Sequence, residues 1–328
     1  MPEIQTVAGL VPVDSLGPTL MHEHVFVLST DYAQNYGPGG WWDEDERVAH
    51  AIDRLMSLHA KGVRAIADPT VVGLGRYIPR IQQVAAAVPV HIVVATGVYT
   101  YGELPFPYQN RGPGTMFGGE EPMVGDFVRD IRDGIADTGV KAAFLKCAVE
   151  HADVSPGVER VLRAVAKAHL ETGAPITVHT SSTGQTGRYV TGVLGEEGVD
   201  LTKVVVGHAG DSNDLDYLME LGDTGALLGM DRFGLDFFNS TADRVRTIAT
   251  LAARGYADRM VLSHDASCWI DWFGPDLLAL RDAVMPNWHY EHISDDVLPA
   301  LTAAGVKGDQ IHQMMVENPK RYFTPNQG

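Results

Sequence analysis

The sequence predicts an α/β chain folded as a (β/α)8 TIM barrel, and three observations carry that prediction. Eight short runs of β-branched and apolar residues recur along the 328 residues. They read as continuous apolar sequence rather than alternation, the pattern of parallel strands covered on both faces. Segments with a helical apolar period lie between them, and several end in Lys-Gly, Thr-Gly or Arg-Gly just before the next strand, where glycine supplies the left-handed residue that closes a helix. The same element pattern leaves an open doubly wound sheet as runner-up. No composition shift marks a linker, so residues 1–328 read as one domain.

In order, the strand candidates are PTLMHEHVFV (18–27), VRAIADPTVV (63–72), HIVVATGVY (91–99), KAAFLKCAV (141–149), PITVHTS (175–181), KVVVGHAG (203–210), GALLGMDRF (225–233) and RMVLSHDA (259–266). Helical spacing runs from Glu44 to Ala60, Ile78 to Ala87, Val124 to Ala136, Val158 to Glu171 and Thr241 to Ala253. Two connections are long: YGELPFPYQNRGPGTMFGGEEP after the third strand, and everything beyond Ser267 after the eighth. Long loops in a compact chain are usually functional or disordered, and in a barrel they crowd the C-terminal face, where active sites lie.

Composition excludes several classes. The 25 basic and 42 acidic residues give a net charge of −17, which repels a phosphate backbone, so nucleic acid is not an expected partner. Cys147 and Cys268 lie in apolar surroundings without CxxC spacing and read as reduced thiols, which favours a cytoplasmic location. The N-terminus lacks a basic stretch followed by an apolar one, and no run reaches the roughly 18 apolar residues that span a bilayer. Neither export nor membrane anchoring is expected.

The chemistry lies at the strand ends. Strand 1 offers His22 and His24, strand 4 Lys146, strand 5 His179, strand 6 His208 and strand 8 Asp265. Residues two apart in a strand share a face, so His22 and His24 aim together into the barrel mouth while Glu23 points away. A lone histidine in a strand is more often a core residue than a ligand. Core histidines, however, have no reason to gather at the same end of separate strands. Four histidines and a carboxylate exceed the needs of one tetrahedral zinc, so two metal ions are the simpler reading. The other histidines do not line up in this way. His264, next to Asp265, faces the opposite side and packs or supports a ligand. Lys146 is the misfit, because a charged lysine in an apolar run must shift its pKa, find a partner or be chemically altered.

HEH at 22–24, FLKC at 144–147, VHT at 178–180, VGHAGD at 206–211, GMDRFG at 229–234, LSHD at 262–265 and the closing VENPKRYF at 316–323 together resemble the phosphotriesterase branch of the amidohydrolase superfamily. Within it the chain is most similar to the phosphotriesterase-like lactonases. The resemblance covers almost the whole chain in order. It implies a binuclear centre in which His22, His24 and Asp265 hold the buried metal and His179 and His208 the more exposed one. Lys146 is implied as an N6-carboxylysine, made with carbon dioxide, that bridges both. The ions are implied to be zinc, or cobalt, iron or manganese. A carbamate carries one negative charge and two oxygens, where an ammonium has no lone pair to give.

The implied reaction is opening of a lactone, N-acyl homoserine lactones foremost (quorum quenching), by a metal-bridging hydroxide, with phosphotriester hydrolysis as a side activity. Asp265 is implied to move the proton, Tyr99 to position the lactone, Arg232 to couple to the proton path and Asp211 to adjoin it. The plain alternatives are a rim residue for Tyr99 and a surface ion pair for Arg232. Phe233, Leu235, Phe237, Phe238, Trp269, Ile270 and Trp272, with Cys268, fall in the loops after strands 7 and 8. They line an acyl channel, or pack loop on loop, or form the contact of the homodimer that the resemblance implies. The short segment between Arg232 and the helix at Thr241 favours the lactonase over a phosphotriesterase proper, which stays as the alternative beside a non-catalytic metal-binding barrel.

Overall fold

The computed structural model describes residues 2–36, 42–274 and 277–325. Eight parallel strands follow one another around a barrel: β1 (Thr19–Leu20), β2 (Ala65–Asp68), β3 (His91–Gly97), β4 (Phe144–Val149), β5 (Ile176–Thr180), β6 (Val204–Gly207), β7 (Leu227–Met230) and β8 (Met260–Leu262). The seam between β8 and β1 is joined by Met21 N–H donating to Leu262 O at 3.3 Å, Asp265 N–H to His22 O at 3.0 Å and His24 N–H to Ala266 O at 2.8 Å. Beyond it, His24–Val27 pairs in parallel with Ser267–Ile270. The first strand is therefore not the single run expected over 18–27. It breaks at Met21 and His22 and resumes at His24 against the segment after β8, while Glu23 N–H still donates to Ala67 O of β2 at 3.0 Å.

Among the described residues, seven helices of eight or more residues lie between the strands: α1 (Glu44–Ala60), α2 (Ile78–Ala85), α3 (Pro122–Arg132), α4 (Pro156–Thr172), α5 (Thr186–Glu196), α6 (Leu215–Asp223) and α7 (Thr241–Ala253). Their ends follow from side chains that satisfy orphan backbone groups. Asp43 accepts from Glu46 N–H ahead of α1, whose first turn is acidic and so suits the helix dipole. Ser155 and Ser240 play the same part for α4 and α7, and α4 stops at Gly173 in the left-handed region. Helical turns at Leu298–Ala303, Gly308–His312 and Asn318–Phe323 complete the chain. Among the described residues, no helix is long and apolar enough to cross a membrane.

Period two sorts each strand between two cores. Leu145, Cys147 and Val149 of β4 pack outward against the helices, in one cluster with Leu162, Val165 and Leu194. Phe144 turns inward, with Ala65, Val93, Val205, Leu227 and Val261 of the neighbouring strands. An N-terminal hairpin (Glu3–Thr6 with Gly9–Pro12) and the C-terminal Tyr322 and Phe323 close the floor of this inner core, Phe323 stacking edge-on to Phe144 at 5.9 Å. Lys146 follows Phe144 by two residues, so it points up the same bore, 1% exposed. At Gly97 of β3, paired with Lys146, a side-chain carbon would meet Lys146 O at 1.8 Å, so only glycine lets the strands approach there.

Candidate metal centre

Five strand ends and the seam deliver His22, His24, Lys146, His179, His208 and Asp265 to one cavity. His22 Nε2 lies 3.3 Å from Lys146 Nζ and 3.4 Å from Asp265 Oδ1, and His24 Nε2 is 3.3 Å from the same oxygen. His208 Nε2 lies 2.9 Å from His179 Nδ1. Two of these residues hold strained backbone, His208 at φ 61° and Asp265 at φ 53°. Non-glycine residues in that region concentrate at functional sites, held there by their surroundings.

The surroundings of Asp265 are set by Glu23. Expected to face away from the site, it is fully buried, and its Oε1 accepts from Ser263 Oγ (2.8 Å), His264 N–H (2.8 Å) and His264 Nδ1 (2.7 Å). Its Oε2 accepts from Ala266 N–H at 3.0 Å. One carboxylate thus clamps the turn that carries Asp265. His264 is the supporting residue expected, its Nε2 accepting from Ile293 N–H at 2.9 Å.

Neighbouring acceptors fix the tautomer of each candidate ligand. Asp231 Oδ2 is 3.0 Å from His22 Nδ1, and Oδ1 is 2.9 Å from His208 Nδ1 and takes His208 N–H at 2.8 Å. An ionised carboxylate only accepts, so both Nδ1 atoms carry the proton and both Nε2 atoms keep a lone pair. Room for Asp231 comes from Gly229, where a side-chain carbon would meet Asp231 Oδ2 at 2.5 Å. Thr70 gives its hydroxyl proton to Asp68 and accepts from His24 Nδ1 at 2.7 Å, freeing His24 Nε2. His179 Nε2 lies 2.6 Å from Glu150 Oε2, which leaves the lone pair on Nδ1.

Burial pushes the His22 imidazolium pKa down, aided by the Lys146 charge, and pushes that of His179 down to about 4. Burial and Arg232 hold His208 well below its usual range. With no ring proton to relieve them, lone pairs face one another and the Asp265 carboxylate at 2.9–3.4 Å. That arrangement is repulsive unless cations lie among them, and imidazole with carboxylate suits zinc and its neighbours. His22, His24 and Asp265 offer ligand atoms all within 4.8 Å of one another. The residues present therefore fit divalent cations. Burial also lowers the Lys146 pKa to about 8, so its amine is far more often uncharged than a surface lysine's.

Arg232 Nε donates to Asp265 Oδ2 at 3.2 Å and Arg232 Nη1 to Asp211 Oδ2 at 3.0 Å, while Arg244 Nη2 holds Asp211 Oδ1 at 2.6 Å. Arg232 is thus not a surface ion pair; it joins the candidate acid-base residue to a buried arginine pair. Tyr99 OH lies 3.5 Å from His179 Nδ1 and bonds to Tyr101 OH, which lies 3.3 Å from His179 Nε2. Burial raises the pKa of both phenols, which keep their protons.

The cavity encloses about 370 Å³. Of the loop residues expected to line it, Leu235, Phe237, Phe238, Ile270 and Trp272 do, joined by Val27, Leu74, Phe273, Met285 and Trp288. Phe233, Trp269 and Cys268 do not, and assigning them to the pocket was wrong. Phe233 is fully buried beside Arg244, Trp269 turns to α1 under the Arg47 guanidinium at 3.7 Å, and Cys268 Sγ bonds to Tyr290 OH at 3.3 Å. Sequence reasoning also passed over Asp231, Glu150, Thr70 and Tyr101. The glycines of VGH and GMD were the available signal for Asp231.

A profile of the phosphotriesterase family matches residues 2–323. A phosphotriesterase homology protein of Mycobacterium tuberculosis is 54% identical over 323 residues, 98% of this chain and 98% of that one. The aryldialkylphosphatase of Saccharolobus solfataricus is 36% identical over 309 residues, 94% of this chain and 95% of that one. The solved structure of the phosphotriesterase from Mycobacterium tuberculosis superposes with a TM-score of 0.96, at 54% identity and 99% coverage of each chain.

Proposed function

Because the chain belongs to the phosphotriesterase family of hydrolases, we propose that it opens lactones, N-acyl homoserine lactones foremost, and hydrolyses phosphotriesters as a slower side activity. The observation that carries the reading is the division of the cavity. One wall is the cluster of candidate ligands with Tyr99 and Asp265, and the rest is largely aliphatic and aromatic. That division suits a small polar ring carrying an apolar tail.

His22, His24 and Asp265 would hold one divalent cation, His179 and His208 a second, and Lys146, as its carbamate, both. Zinc is the metal proposed, with cobalt, iron or manganese able to stand in. When bound, the cations supply an acidified water as nucleophile and a Lewis acid for the substrate's carbonyl or phosphoryl oxygen. Tyr99 keeps its phenolic proton and donates it as a hydrogen bond to the ring, orienting the lactone. Asp265 takes up the proton released on attack and returns it to the departing alkoxide. Burial opposes ionisation of Asp265, and the Arg232 guanidinium at its Oδ2 favours the charged form. Arginine does not release a proton at working pH. The role of Arg232 is to aim the Asp265 carboxylate and keep it charged, braced in turn by Asp211.

A second reading makes phosphotriesters the main substrates, favoured by the activity named for the Saccharolobus solfataricus relative. A panel of acyl homoserine lactones and aryl phosphotriesters, run on metal-quantified enzyme, separates the two. Higher kcat/KM for the phosphotriester would reject the lactonase.

A further inference from the structure

We propose that Glu150 is a positioning residue that commits His179 to cation binding, an inference that rests on the two-cation reading above. Glu150 lies one residue past β4 on the inward side, in step with Lys146 and Ala148. Ala148 pairs in register with His179 on β5, and Glu150 reaches past it to place Oε2 2.6 Å from His179 Nε2.

The contact matters because His179 has a competing use for its proton. With the proton on Nδ1, His179 would donate to His208 Nε2, only 2.9 Å away. That histidine-to-histidine bond satisfies both rings and closes the site against a cation. With the proton on Nε2, both lone pairs stay free. Two groups lie near enough to Nε2 to decide between these states. Tyr101 OH, at 3.3 Å, can donate or accept and so favours neither. A carboxylate can only accept, so Glu150 draws the proton to Nε2 and turns Nδ1 toward the cation. His208, the other ring of this pair, already has its proton held on Nδ1 by Asp231 Oδ1 at 2.9 Å, so the bias is needed at His179.

Glu150→Gln is the discriminating variant. It keeps size and packing but substitutes a group that donates as well as accepts, like Tyr101. Zinc-loaded wild type and variant are dialysed against graded chelator, metal content is measured, and unfolding of the metal-free proteins checks the fold. One zinc equivalent should leave Glu150→Gln at about 10–100-fold lower chelator than in wild type, the other unchanged, with metal-free stability unaltered. Imidazole nitrogen NMR of metal-free protein should show His179 protonated on Nε2 in wild type and partly on Nδ1 in the variant. Both equivalents leaving in step with wild type, or an unchanged tautomer, would overturn the role of Glu150. A wild type that takes up no zinc would instead sink the two-cation reading, and the tautomer spectrum alone would then decide Glu150.

Discussion

Replacing Gly229 with alanine puts one methyl group where Asp231 now sits. The added carbon would lie 2.5 Å from Asp231 Oδ2 and 3.0 Å from Gly207 Cα, and ordinary contact begins near 3.4 Å. Backbone blocks the methyl on one side, so the carboxylate oxygen must retreat by about 0.9 Å, within the range where overpacking a tight interior costs about 1–3 kcal/mol. Oδ2 is the atom 3.0 Å from His22 Nδ1, whereas His208 is held by Oδ1. A displacement of that size removes the bond to His22 and frees its ring to turn or change tautomer. Losing such a support typically weakens metal affinity about 10–100-fold, and the loss should fall first on the cation proposed to be held by His22. The assay is metal content against graded chelator, with Gly125→Ala, on an open surface of α3, as the control. Gly229→Ala protein that retains both cations as wild type does would refute the assignment of Asp231 as the orienting carboxylate.

Lys146→Ala should lose bound metal and activity together, with partial rescue by a small carboxylate. In metal-free wild type, the uncharged Lys146 amine increases about tenfold per pH unit up to its pKa of about 8 and then levels off; the initial rate of bicarbonate-dependent cation uptake should follow that curve, and a flat profile would remove the carbamate. Asp265→Asn should lower kcat by about 10²–10⁴-fold while thermal unfolding stays near wild type; retained turnover would take Asp265 out of proton transfer. Tyr99→Phe should lower lactone kcat/KM by about tenfold, the worth of one hydrogen bond, which steady-state kinetics checks. Lys203→Ala removes an ammonium that donates to Arg321 O and Thr324 O at the C-terminal end of the last helix; denaturant unfolding should show a loss of about 2–3 kcal/mol with KM unchanged.

The barrel was legible because parallel strands carry continuous apolar runs, and the polar cluster at its mouth because strand-end position gathers the histidines there and period two places Lys146 above Phe144. The supporting acids were not. Glu23, Asp231 and Glu150 look in sequence like any surface carboxylate, and what distinguishes them is acceptance of bonds from chain that is remote in sequence. Alternation does turn Glu23 away from the cavity, but its partners there, Ser263, His264 and Ala266, come from the far end of the chain and leave no local trace. Phe233, Trp269 and Cys268 were misplaced for a related reason: loops after β7 and β8 mix cavity and core residues with no fixed period, so composition marks the region but not the side.

The Glu23 clamp ties the site to the chain's own timetable. Glu23 waits for partners about 240 positions downstream, Ser263 and His264, and Asp265 arrives with them. During synthesis, which runs from the N-terminus, the first histidines are exposed long before their carboxylate exists. The site proposed for the cations is therefore finished only when the ring is, and a truncated or stalled chain would lack it.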